Sequence, residues 1–407
     1  MSTAGILRRA AFLLAAITLP SLRPAVARAQ QAAADTGTSL RFRADLRGRF
    51  DGVYGSEPSL TNRQRFRYRL RGGVLANLPR GFEAEVRLTS AEETDPSGGD
   101  PISGNTSFGD NGSKKGIFID LAYLRWTPQV GDRPLVLAFG KMNNPFDLSD
   151  MVFDGDYTPE GGALTLDVPL ARGTALRLAA GGFQLDENSS TNADPYLTGG
   201  QLQLRQALGE RTRLTAGGGM LRIAHAASLA NAAVPNGNVG NSRNDAGELV
   251  FEYTPYFAQA ALSATTVRAP GFGSGLPMQL SAEYLDNSKV DERGTAWSVG
   301  ATLGRAAAAR SWDLGYRYKY IERDAWYEEM VDSDFGAFYA APLPGAGNGA
   351  GYRPGTNTKG HVVRVQVAPY DFAVVTATLY AASLVDFADP VEGSAAQRLQ
   401  VDVTLRF

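Results

Sequence analysis

The sequence predicts an all-β protein, a transmembrane antiparallel β-barrel of about sixteen strands with long external loops and short periplasmic turns. Three observations carry this. Polar and apolar side chains alternate with a period of two along most of the chain, which suits strands and not helices. The connections between alternating segments are short and long in turn. No segment beyond the N-terminus exceeds about a dozen apolar residues, whereas a membrane helix needs about 20.

The first residues stand apart from this pattern. Arg8-Arg9 is a basic start, Ala10 to Leu19 an apolar run and Ala27-Arg28-Ala29 a small-residue cleavage site. Residues 1–29 therefore read as a secretory signal peptide, 30–38 as a short N-terminal segment and 39–407 as the barrel, with no further domain boundary. The signal carries Arg8, Arg9, Arg23 and Arg28 and no acid. Without it, 36 of the 40 basic residues remain against 42 acidic ones, a net charge of −6. An acidic exported chain is a poor partner for nucleic acid. The chain has no cysteine, so it has no disulfide, thiol nucleophile or Cys-ligated metal.

The first strand is the clearest. In Ser39 to Phe50, Leu40, Phe42, Ala44, Leu46 and Phe50 share one face; Arg41, Arg43, Asp45, Arg47 and Arg49 share the other. The next continues the texture: Arg63, Arg65, Arg67, Arg69 and Arg71 alternate with positions that include Phe66, Tyr68 and Leu70. After the turn Leu78 to Gly81, Phe82, Ala84, Val86 and Leu88 alternate with Glu83, Glu85, Arg87 and Thr89. These three strands span 39–51, 63–78 and 81–90. Five more follow near 116–127, 134–141, 162–170, 174–185 and 196–208. Another eight lie near 211–224, 255–268, 276–287, 295–304, 311–323, 359–369, 371–386 and 397–407. Long polar loops lie near 91–115, 142–161, 186–195, 225–254 and 324–358. In the last strand, Leu399, Val401, Val403, Leu405 and Phe407 share a face opposite Arg398, Gln400, Asp402, Thr404 and Arg406. That pattern resembles the terminal strand of bacterial outer-membrane proteins.

An arginine on the lipid face near the midplane costs roughly 2–4 kcal/mol. The alternating arginines are therefore expected to face inward. Arg41, Arg43, Arg47, Arg49, Arg63, Arg65, Arg67, Arg69 and Arg71 would form a cationic wall, which Arg398 and Arg406 join if closure pairs the last strand with the first. So many like charges repel in a dry core and less in a water-filled lumen.

The stretch Gly140 to Ala163 resembles a known group, the bacterial putative porin family. The match is carried by Gly140, Lys141, Met142, Asn144, Pro145 and Phe146, then Asp154, Asp156, Glu160 and Gly161, and is most specific over residues 60–165. The resemblance implies a sixteen-stranded outer-membrane pore and, at family level, a homotrimer. Residues 142–161 join the fifth and sixth strands and so form the third external loop. In general bacterial porins that loop folds inward and sets its carboxylates against wall arginines, often from a Pro-Glu-x-Gly-Gly motif. Pro159-Glu160-Gly161-Gly162 resembles that motif with its middle residue missing. By this likeness Asp147, Asp150, Asp154, Asp156 and Glu160 form the constriction.

Other signals are weaker. Ser228 near His225 is the one local hint of a hydrolase pair, and His361 stands elsewhere; no enzyme is expected. No EF-type calcium spacing appears, and neither metal nor cofactor is expected. Tyr316, Tyr318 and Tyr320 share a phase with Leu314, which points to the lipid face. The expected function is passive diffusion of small hydrophilic solutes across a lipid outer membrane, with a preference for anions. The alternatives are an anion-selective channel, for example for phosphate, and a plugged structural or adhesion barrel.

Overall fold

The computed structural model describes residues 37–55, 62–91, 102–131, 133–190, 192–229, 240–266, 270–273, 275–336, 355–386 and 395–407. The expected signal peptide and most of the segment 30–38 lie outside these residues. Sixteen long antiparallel strands form one closed sheet. The first five are β1 (Ser39–Gly55), β2 (Arg63–Leu78), β3 (Phe82–Ser90), β4 (Ile117–Trp126) and β5 (Arg133–Lys141). Then come β6 (Glu160–Ala171), β7 (Thr174–Gln184), β8 (Tyr196–Ala207), β9 (Thr212–Ala224), β10 (Pro255–Thr265) and β11 (Pro277–Asn287). The last are β12 (Thr295–Gly304), β13 (Ser311–Ile321), β14 (Thr358–Tyr370), β15 (Ala373–Leu384) and β16 (Ala396–Arg406). Each pairs with its sequence neighbour. β16 returns to β1 in register from Asp45↔Arg406 to Gly55↔Ala396, so no edge remains.

All sixteen predicted strands are present. β1 runs beyond the expected end at 51 to Gly55, because its last residues pair on both sides, with β2 and β16. β15 starts later than expected. β14 runs on to Tyr370, and Asp371 and Phe372 make the turn.

Alternation settles orientation. Phe42, Phe66 and Leu70 are 55%, 60% and 44% exposed, whereas Arg49 and Arg67 between them are 7% and 5% exposed. The apolar face is the outer band. Two aromatic belts bound it. At the short-turn end, Phe82 stacks on Trp126, Trp312 meets Phe272 edge-on and Tyr370 stacks on Phe372. At the long-loop end lie Tyr196, Tyr256, Tyr284 and the group Trp297, Tyr318 and Tyr320. Such girdles mark the two interfaces of a membrane barrel.

One irregularity matters for the interior. The β3–β4 register shifts between Arg87 and Leu88. A bulge reverses which side chains point inward. Strict alternation from Leu124 and Ala122 would send Asp120 outward. After the shift Asp120 is buried and Ile119 and Ile117 are exposed. At the short-turn end, Arg80 and Gly81 both adopt positive φ, and a side chain on Gly81 would meet the Thr127 carbonyl.

The outer band yields a first prediction. Leu70→Arg, opposite Leu46 in mid-strand, should destabilise the folded barrel by roughly 2–4 kcal/mol. Urea unfolding in lipid vesicles measures it; an unchanged midpoint would contradict a lipid-facing Leu70.

Candidate functional site

The wall of arginines is built by β1, β2 and β16. In the β1–β2 register Arg47 lies opposite Arg69, Arg49 opposite Arg67 and Asp51 opposite Arg65. Carboxylates thread between them. Arg49 makes a two-pronged pair with Asp402 across the β1–β16 seam, at 2.7 and 2.8 Å. Arg398 makes the reciprocal pair with Asp51, at 2.7 and 3.0 Å. Asp51 also takes Arg65 at 2.9 Å, and Asp45 takes Arg69 at 3.0 Å. Asp120, turned inward by the bulge, meets Arg87 at 2.5 Å and Arg71 at 3.2 Å. Arg47 donates to the Asn105 side chain, and Arg67 to the Asn105 carbonyl, from the loop between β3 and β4. Arg41 and Arg43 are exposed on the part of β1 that extends past β16, near Arg406 at the short-turn mouth. Arg63 is exposed at the opposite end of β2.

The third long loop, residues 142–159, leaves the wall after Gly140. That residue has φ 120°, and a side chain there would run into the Ala122 carbonyl of β4. The loop then touches inward-facing side chains on five separate strands, the first being β7, whose Arg177 donates to the Pro145 carbonyl at 3.3 Å. The Asp147 amide donates to Gln201 on β8 at 2.9 Å, and Gln203 donates to the Asp147 carboxylate at 3.0 Å. Ser149 donates from its amide, at 3.1 Å, and its hydroxyl to Glu283 on β11. Asp150 pairs with Lys319 and Arg317 on β13, at 3.1 and 3.4 Å. Asp156 reaches Arg71 and Arg69 on β2, at 2.8 and 3.1 Å.

Of the five expected constriction carboxylates, Asp156 therefore meets the predicted arginines, and Asp150 meets cations on another wall. Asp147 is tied to glutamines. Asp154 accepts the amides of Asp156 at 2.7 Å and Ser333 at 2.9 Å, joining two loops. Glu160 departs from the expectation. It opens β6 and is paired with Lys141 at 2.9 Å. Alternation from exposed Phe139, paired with Gly162, sets both Lys141 and Glu160 on the outer face. The pattern of a loop motif does not reveal that its glutamate has already rejoined the wall.

Sequence reasoning missed a second inward segment. In the seventh loop on the long-loop side, between β13 and β14, residues 322–336 pack against the third loop. Trp326 donates to the Val152 carbonyl at 2.9 Å and Met330 accepts from the Asp154 amide at 2.7 Å. Asp332 pairs with Lys319 at 2.6 Å, and Asp334 with Arg398 and Arg49 at 3.0 and 3.1 Å. The loop between β9 and β10, the fifth on the long-loop side, joins them: Arg243 pairs with Glu328 at 2.6 Å, with both side chains fully enclosed. Phe146, Val152, Phe153, Tyr253, Trp326 and Phe335 form an apolar core with inward residues of β7 to β13 such as Phe183, Leu221 and Leu285. The signal was present in Trp326, Tyr327, Met330, Val331 and Phe335, apolar residues inside a loop read as polar. Between the third loop and the wall a cleft of about 240 Å³ remains, lined in part by Arg87, Asn143, Asp156 and Thr158.

The loop carboxyls differ in ionisation. Burial works against the charge of Asp156, but Arg71, Arg69 and Arg47 outweigh it and hold its carboxyl below the usual range. Burial likewise opposes the charge of Asp334, where Arg398 and Arg49 prevail. Burial wins at Asp332 and pushes it up to about 6, with Asp150 and Asp334 adding to the effect and Lys319 resisting it. Asp324 is raised the same way, by burial. The histidines stay apart from all this. His225 lies in the fifth loop, and His361 bonds Tyr316 at 2.9 Å on the outer face that Tyr316 shares with Leu314.

A carboxyl with a higher pKa in the docked loop than in the free one holds its proton more tightly when docked. Asp332 thus favours docking below its free value and loses that contribution as pH rises through about 6. Amide exchange of residues 322–336, corrected for intrinsic rates, should show protection falling between pH 4.5 and 6.5. Asp332→Asn should flatten the curve; equal slopes in both proteins would contradict the assignment.

A family profile described as a putative porin matches residues 53–252 and 251–407. Pseudomonas putida OprB is similar in structure, with TM-score 0.55 and 12% identity, covering 94% of this chain and 97% of that one. Salmonella typhi OmpF, solved with daunomycin, gives TM-score 0.51 and 10% identity over 92% and 99% of the two chains. At these identities the likeness is one of fold. No curated protein matches the sequence.

Proposed function

The chain belongs to the putative porin family, and from that premise we propose a water-filled outer-membrane pore for passive diffusion of small hydrophilic solutes, with a preference for anions. Family and fold together support a channel in a bacterial outer membrane. The third loop narrows the pore in this reading. The observation that carries it is the string of contacts from Gln201 on β8 to Arg71 on β2, made by one loop of residues 142–159. A loop held at both sides of a barrel leaves solutes the space beside it, and the cleft lined by Arg87 and Asp156 is such a space.

Charge preference follows from which side chains border that space. Arg87 lines one side, and Arg69 and Arg71 of β2 stand behind Asp156, which offsets part of their field. A transverse field across a narrow aqueous gap discriminates ions by sign. Homotrimer formation is the family-level expectation that accompanies this reading.

A second reading is a plugged structural barrel, favoured by one observation: the apolar core that three loops form with inward wall residues. Planar bilayers separate the two. Purified refolded protein should give stepwise ion conductance; an absence of steps would overturn the pore and favour the plug. Under a salt gradient, substituting Arg65, Arg67 and Arg69 together by alanine should move the reversal potential towards cation preference. Asp156→Asn should move it the other way. An unmoved potential in both removes this wall from the filter.

A further inference from the structure

Resting on the pore reading, we propose that residues 322–336 of the seventh loop are a second selectivity element. Asp334 sets how much cationic charge of the wall the solute meets, and the loop's apolar side sets how much of the lumen is open.

The placement of its charges argues for this. Around the β1–β16 seam, four guanidiniums (Arg49, Arg65, Arg67 and Arg398) lie within ion-pair distance of Asp51, Asp402 or Asp334. Two of these three carboxylates belong to the wall. The third, Asp334, is supplied by the loop and bridges Arg49 and Arg398. Taking it away leaves Arg49, Arg65 and Arg398 to share two of those carboxylates. Two residues earlier, Asp332 does the same for Lys319, whose ammonium also holds Asp150 of the third loop and lies 4.7 Å from the Phe335 ring centre. Lys319 therefore ties both loops to β13.

The segment also has an apolar side that serves size. Trp326, Met330, Val331 and Phe335 are almost wholly enclosed. They are held by backbone bonds to the third loop, including the Asp332 amide to the Asp150 carbonyl at 2.9 Å. A loop folded inward for packing alone needs no carboxylate on the arginine wall, since burying a charge is costly unless it is paired. Its two aspartates instead lie where the wall carries an excess of positive charge. The third loop meets the wall at Arg69 and Arg71, the seventh at Arg49 and Arg398. The two divide the ladder between them.

The test uses single channels and salt-gradient potentials of the full-length refolded protein. Asp334→Asn should raise the anion-to-cation permeability ratio roughly two-fold with little change in conductance. Asp332→Asn should act less, because Asp150 still faces Lys319. Replacing Trp326–Phe335 by a Gly/Ser segment of equal length should raise conductance as well. Because the chain has no cysteine, Asp334→Cys offers a check within one folded protein. A sulfonate thiol reagent should restore the wild-type potential and a trimethylammonium reagent should push it further towards anions. Wild-type steps with unmoved potential and conductance in all these variants overturn the loop's role alone. No steps from the wild type overturn the pore, and this role with it.

Discussion

A guanidinium cannot rest in hydrocarbon without a cost of roughly 2–4 kcal/mol, and the interior of this barrel follows from that constraint. Alternation along β1 and β2 places an arginine at every second position over long runs, so the arginines turn inward together. Once inside, they stand opposite one another across the ladder, Arg47 against Arg69 and Arg49 against Arg67. Such a wall needs negative partners. Asp51, Asp402 and Asp45 come from the same strands, Asp120 through a bulge, and Asp156 and Asp334 from loops. The loops are thus drawn in by the wall as much as by their own apolar residues.

The two kinds of attraction differ in weight around the barrel. On the β7 to β13 side the inward residues are Phe183, Leu221, Ile223 and Leu285, and the loops meet them with Phe146, Trp326 and Tyr253. On the β1, β2 and β16 side the contacts are charge pairs. The lumen is therefore asymmetric. One half holds the apolar core, with the Lys319–Asp150–Asp332 cluster set beside it; the other is an ionic surface bordering a cleft. A buried pair such as Arg243–Glu328 inside the loop bundle is costly to break from one side, because the remaining charge would be left buried alone.

Much of this was legible in the sequence, for a physical reason. Period two is imposed directly by strand geometry, so all sixteen strands and the inward phase of Arg49, Arg67 and Arg398 could be read from local pattern alone. Closure was legible too, since Arg398 and Asp402 continue the inward phase of the last strand. What was hidden depends on breaks in periodicity or on distance. Asp120 would point outward by alternation and turns inward because of one extra residue opposite β3. Glu160 looks like a loop residue and is a strand residue. Asp332 and Asp334 sit in a loop whose length and polarity suggested solvent, and their partners Lys319, Arg49 and Arg398 lie on three other strands. Trp326 and its apolar neighbours were the readable clue, since a solvent-facing loop has little use for them.

The reciprocal pairs Arg49–Asp402 and Arg398–Asp51 have a bearing on how the molecule is assembled. They join positions some 350 residues apart in the chain. Contacts of such separation form late, because the closure entropy of the whole intervening loop must be overcome first. Until β16 arrives, β1 presents an open edge, and Arg49 and Asp51 lack the partners that β16 brings. The seam thus works as a keyed fastening in one direction: a strand that arrives two residues out that way sets Asp51 against Asp402 and Arg47 against Arg406. The same charges that line the lumen reject that miswound register at the moment of closing.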